Sequence, residues 1–64
     1  MKIKRYREKL GLSQEGVANM LGITQQAYSY KELGQRGFKA KELLQLEKIL
    51  KVSISEFMGD LGDN

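Results

Sequence analysis

Ser13-Gln14-Glu15-Gly16-Val17-Ala18-Asn19-Met20-Leu21-Gly22-Ile23-Thr24 is the stretch on which the fold of this 64-residue chain turns. Ser13 has the chemistry of a helix N-cap, because its hydroxyl can accept from a backbone N–H of the first turn, which Gln14 and Glu15 then fill. Val17, Ala18 and Leu21 recur at the three- and four-residue spacing that puts them on one helix face. Gly22 stops the helix, since a residue without Cβ enters the left-handed region freely. Thr24 then repeats the N-cap signal two residues on, so a second helix starts almost at once.

Outward from this stretch, glycine does the punctuation, for the chain has no proline. Lys2–Lys9 forms a first helix with Ile3, Tyr6 and Leu10 on its inner face, closed by Gly11. The helix opened by Thr24 runs from about Gln25 to Leu33 and stops at Gly34. A basic loop of Gln35, Arg36 and Gly37 leads to the longest helix, about Ala40 to Lys51, with a stripe of Leu43, Leu46 or Leu44, Ile49 and Leu50. Ser53-Ile54-Ser55-Glu56 has capping-box spacing and is expected to open a last short helix with Phe57 and Met58. The expected fold class is all-α: a compact five-helix domain over residues 1–58, followed by a short flexible tail at 59–64.

Composition narrows the function. Cysteine, histidine and tryptophan are absent, which removes disulfides, thiolate and imidazole metal ligands and the commonest general base. No metal, cofactor or small-molecule ligand is expected. Glu, Asp, Lys and Tyr remain, but they form no evident carboxylate pair in a pocket, so enzymatic activity is not expected. All 11 basic residues lie in residues 1–51 beside five glutamates, a net +6, whereas residues 52–64 carry −3. A basic body of this kind suits an anionic partner, nucleic acid or an anionic membrane surface. No apolar run approaches the ~20 residues of a membrane span, and the basic start at Lys2, Lys4 and Arg5 lacks the apolar run of a signal peptide. The cytoplasm is the expected compartment.

Two short helices joined through Leu21-Gly22-Ile23-Thr24 form a helix-turn-helix pattern. With Ser13-Gln14, Val17-Ala18, Ser29, Glu32, Gly34, Leu43-Leu44 and Leu50-Lys51-Val52-Ser53 in place, residues 2–58 closely resemble the helix-turn-helix family of phage Cro proteins and repressors, the XRE family. The resemblance implies a sequence-specific regulator of transcription, a repressor on double-stranded operator DNA at the nucleoid. Its third helix would lie in the major groove. On the exposed face of that helix stand Gln25, Gln26, Ser29 and Tyr30 as base-contacting candidates. A glutamine can bond both N6 and N7 of adenine. Against this, the glutamines could be solvated first-turn residues, Ser29 a packing residue, and Tyr30 a core aromatic.

Phosphate contacts are expected from Gln14, which falls on the family position that anchors the DNA backbone, and from the helix N-terminus at Thr24. The loop residues Gln35, Arg36 and Lys39 join them. Lys2, Lys4, Arg5 and Lys9 are read as a solvated helix face. The resemblance also implies an ion pair between Arg7 on the first helix and Glu32 at the end of the third. Family members dimerise on palindromes, and the corresponding surface here is Ile54, Met58 and Leu61, with Phe57 in the monomer core. Four positions depart from the family pattern. Gly16 stands where a capping glutamate is frequent, Lys31 where an apolar residue is common, Phe38 where proline is, and Lys39 where a good N-cap is. A competing class is a protein-interaction module, such as an antitoxin, on the same fold. A membrane-surface role would use only the basic first helix.

Overall fold

The computed structural model describes residues 2–53 and 55. Its helices are α1 (Lys2–Lys9), α2 (Gln14–Leu21), α3 (Gln25–Glu32) and α4 (Ala40–Leu50). Among the described residues the domain is all-helical with four helices, not the five expected. The expected fifth, with Ile54, Phe57 and Met58, lies outside the described residues.

Local chemistry accounts for each boundary. Ser13 is extended at the start of α2, and its Oγ accepts from the Gly16 N–H at 2.9 Å; Thr24 Oγ1 accepts from the Ala27 N–H at 3.1 Å at the start of α3. Both caps satisfy donors that a helix start otherwise leaves open. At the far end of α2, Gly22 sits at φ +74°, and the Ile23 N–H reaches back to the Ala18 carbonyl at 3.0 Å. That bond belongs to the Schellman closure, which needs a left-handed residue. The same bond closes α1 (Leu12 N–H to Arg7 C=O, 3.1 Å) and α3 (Gln35 N–H to Tyr30 C=O, 2.9 Å). Helix α4 ends in the same left-handed turn on Lys51, at φ +60°, where a Cβ costs roughly 1–2 kcal/mol.

The apolar stripes meet in one core of Ile3, Val17, Ala18, Leu21, Tyr28, Leu46 and Leu50, rimmed by half-buried Tyr6, Leu12, Ile23, Phe38, Leu43, Ile49 and Val52. On α4 the three- and four-residue spacing selects Leu46 and leaves Leu44 54% exposed. Leu10 departs from its expected place on the inner face. It lies past the last residue of α1, in the turn made by Gly11, and is 44% exposed. Phe38 packs at the core edge, its ring tilted against Tyr28 at 6.1 Å.

Candidate nucleic-acid interface

The side chains that could meet a ligand are held in place by a polar cluster centred on Glu32. Arg7 donates from Nε to Glu32 Oε2 at 2.8 Å and from Nη2 to Oε1 at 3.2 Å, and its Nη1 donates to the Leu12 carbonyl at 2.8 Å. Tyr28 Oη donates to Glu32 Oε2 at 2.7 Å, and Gln14 Nε2 donates to Oε1 at 2.8 Å. Arg7, Tyr28 and Glu32 are all buried, so the cluster ties α1, α2 and α3 together where water cannot substitute. Burial alone would push the Glu32 carboxyl up, but the hydrogen bonds from Arg7, Tyr28 and Gln14 outweigh it and hold the group below its ordinary value. The bond to Glu32 keeps the Arg7 guanidinium charged, and burial together with Glu32 pushes the Tyr28 phenol well up. Each of the three Arg7 nitrogens donates one hydrogen bond within the protein.

On the outer side of this cluster, Gln14, Gln25, Gln26, Ser29 and Tyr30 line one open groove of about 420 Å³. Gln25, Gln26 and Tyr30 are exposed; Ser29 and Gln14 are half-buried. Tyr30 is at the surface, whereas Tyr28 is fully buried in the core. Gln26 Nε2 donates to Tyr30 Oη at 3.2 Å. Beside the groove stands the N-terminus of α3, with its free N–H groups and partial positive charge. Gln35, Arg36 and Lys39 are exposed in the segment between α3 and α4, and the Arg36 guanidinium lies 5.9 Å from the centre of the Tyr30 ring. The groove and its rim thus carry amides, hydroxyls and cations, which suit hydrogen bonding to base edges and phosphates. Of the residues expected at an interface between two copies, Ile54, Met58 and Leu61 lie outside the described residues.

One feature of the scaffold is absent from the sequence expectations. Lys31, which stands where an apolar residue is common, is buried, with Nζ 2.7 and 2.9 Å from the two Glu42 oxygens and 6.0 Å from the centre of the Phe38 ring. Glu42 Oε1 also accepts from the Lys39 backbone N–H at 2.9 Å, so the third residue of α4 supplies the cap that Lys39's side chain cannot. Burial raises the Glu42 carboxyl, and the bonds from Lys31 and Lys39 more than reverse this and hold it low. The available signal was that Lys31 lies three residues after Tyr28, on the inner side of α3. Among the described residues no three acidic, cysteine or histidine side chains could hold a metal ion, and no helix is long and apolar enough to cross a membrane.

The sequence matches the family model Helix-turn-helix over residues 3–57. It is 40% identical over 52 residues to the HTH-type transcriptional regulator YqaE of Bacillus subtilis (strain 168), covering 81% of this chain and 45% of that protein. An SPbeta prophage-derived HTH-type transcriptional regulator of the same organism, YonR, is also 40% identical over 52 residues, with 81% of this chain and 48% of the relative covered. The chain therefore spans about half the length of these curated relatives. No solved structure matches it.

Proposed function

The chain belongs to the XRE-type helix-turn-helix family, and from that premise we propose that it binds double-stranded DNA sequence-specifically and represses transcription by covering promoter DNA. The observation that carries this reading is the convergence of Gln14, Gln25, Gln26, Ser29 and Tyr30 on one groove beside the N-terminus of α3. With α3 in the major groove, Gln25, Gln26, Ser29 and Tyr30 meet base edges. Gln14, whose amide is held at Glu32, offers its remaining N–H to a phosphate. Thr24, Gln35, Arg36 and Lys39 grip the backbone, adding affinity with little sequence information. The protein works in the cytoplasm, on the nucleoid.

One α3 reads only a few base pairs, so in this reading the protein acts as a homodimer on a palindrome with half-sites ~34–36 Å apart. In this reading Ile54, Met58 and Leu61 supply the contact between copies. Selection of bound duplexes from random DNA at two salt concentrations tests the proposal. The expected outcome is a two-fold-symmetric site bound with a steep salt dependence. Salt-sensitive binding with no enriched sequence would leave only charge attraction and defeat it.

A further inference from the structure

The segment that leads from α3 to α4 is exposed from Leu33 to Gly37 and again at Lys39, yet it is held at both ends. At its start the Gln35 and Arg36 N–H groups donate to the Tyr30 carbonyl at 2.9 and 3.4 Å. Midway, the Phe38 ring packs against Tyr28. At its end the Lys39 N–H donates to Glu42 Oε1 at 2.9 Å, and both Glu42 oxygens accept from Lys31 Nζ on α3. Lys31 and Glu42 are both buried. One carboxylate therefore joins the last residue of an exposed segment to the body of α3. An ionised carboxylate only accepts and an ammonium only donates, so the arrangement has a single polarity.

We infer that Lys31 and Glu42 are positioning residues that hold the segment 35–39 against α3, so that its phosphate contacts form in register with the bases α3 reads. The inference rests on the DNA-binding reading above, in which Gln35, Arg36 and Lys39 grip the backbone. Lys31 and Glu42 are buried and bound to each other, so they act through the backbone of Lys39 and not on DNA. Phosphate contacts fix where a protein sits on the duplex. A segment ordered before binding has less freedom to lose on contact, and that difference appears in affinity. The cap of α4 does not by itself call for Lys31, because a glutamate at the third helical position accepts from the N-cap N–H without a cation. Nor does stability call for it, since replacing a buried ion pair by apolar residues of similar volume is often neutral or stabilising. What the lysine adds is the link from that cap to α3.

The test uses two double variants. Lys31→Met with Glu42→Leu removes the pair and the cap, and Lys31→Met with Glu42→Gln keeps an acceptor for the Lys39 N–H. Thermal melts check the fold. Fluorescence anisotropy reads binding at several salt concentrations, on the duplex selected by the wild type and on duplexes with one base pair exchanged. Both variants should stay folded. Both should bind every duplex about three- to tenfold more weakly, with base preference unchanged and the slope of log affinity against log salt lowered by about one. A purely structural pair would move the melt and leave the salt slope of the folded protein as it was. Wild-type affinity and slope in both folded variants, or an altered base preference, overturns the inference. Wild-type binding by the glutamine variant alone also overturns it, by assigning the effect to the cap of α4. Amide exchange on the wild type needs no variant: the Lys39 N–H should be protected before DNA is added, and protection that arises only on binding overturns the inference. Each of these failures leaves the DNA-binding reading standing. Failure of the wild type to select any sequence overturns that reading, and this inference with it.

Discussion

Replacing Glu32 by alanine should bring the domain close to unfolding. The carboxylate receives four hydrogen bonds, two from Arg7 and one each from Tyr28 and Gln14. Alanine leaves Arg7, 7% exposed, with the Leu12 carbonyl as its remaining hydrogen-bond partner, and leaves the phenol of the fully buried Tyr28 without an acceptor. Stranding one partner of a buried ion pair costs about 3–5 kcal/mol, and an orphaned buried hydroxyl adds about 1–3 kcal/mol. At ~0.05–0.15 kcal/mol per residue, a chain of 64 residues holds about 3–10 kcal/mol in all. Even the ion-pair contribution alone corresponds to a fall in melting temperature of roughly 12–40 °C at ~4–8 °C per kcal/mol. Circular dichroism at the helix band, followed through thermal and urea unfolding, reads this directly. Gln14→Ala, which removes one half-buried donor, serves as the control and should cost about 1 kcal/mol. A Glu32→Ala melt within a few degrees of wild type would refute the assignment of this cluster as the clamp between α1, α2 and α3.

Acid should act through the same carboxylates. Glu32 and Glu42 are both held below their ordinary range, so the stability they confer is complete above the unfolded-state value and is lost as pH falls through it toward the folded-state values. The melting temperature should be level between about pH 6 and 8 and fall below about pH 5. The double variant Lys31→Met, Glu42→Leu should lose part of that fall, and equal stability at about pH 4 and 7 would contradict the assignment. Lys51→Gly should raise the melting temperature by several degrees, because glycine occupies a φ of +60° without a Cβ penalty; a drop would show that the lysine side chain contributes more than its backbone strain costs. Arg36→Ala and Lys39→Ala should each weaken every DNA duplex alike and lower the slope of log affinity against log salt by about one. A changed base preference in Lys39→Ala would contradict a purely backbone role.

What was legible in the sequence was local. Ser13, Gly22 and Thr24 act on N–H and C=O groups within a few residues, so their chemistry fixes the ends of α2 and α3 wherever the chain goes next. The stripe of Val17, Ala18 and Leu21 is legible for the same reason. Partners distant in the chain were not. Arg7 and Glu32 stand 25 residues apart, and only the resemblance to Cro proteins and repressors joined them. Lys31 and Glu42, 11 apart, went unjoined because a lysine reads as solvent-facing until α4 is seen to supply its carboxylate. Leu10 was misread because a glycine turn changes the face that the periodicity assigns. At the candidate interface, the sequence indicated which residues share the exposed side of α3. It did not indicate that Gln14 is tied to Glu32 or Gln26 to Tyr30, since amide orientation depends on neighbours in space.

The central claim is that α3 presents its outer face to the major groove. Titrating the 15N-labelled protein with its selected duplex and following backbone and side-chain amide signals tests it most directly. The account predicts that the side-chain amides of Gln14, Gln25 and Gln26 and the backbone of residues 24–30 and 35–39 shift most, while the outer faces of α1 and α4 stay still. Shifts concentrated on basic α1 with α3 unmoved would contradict it.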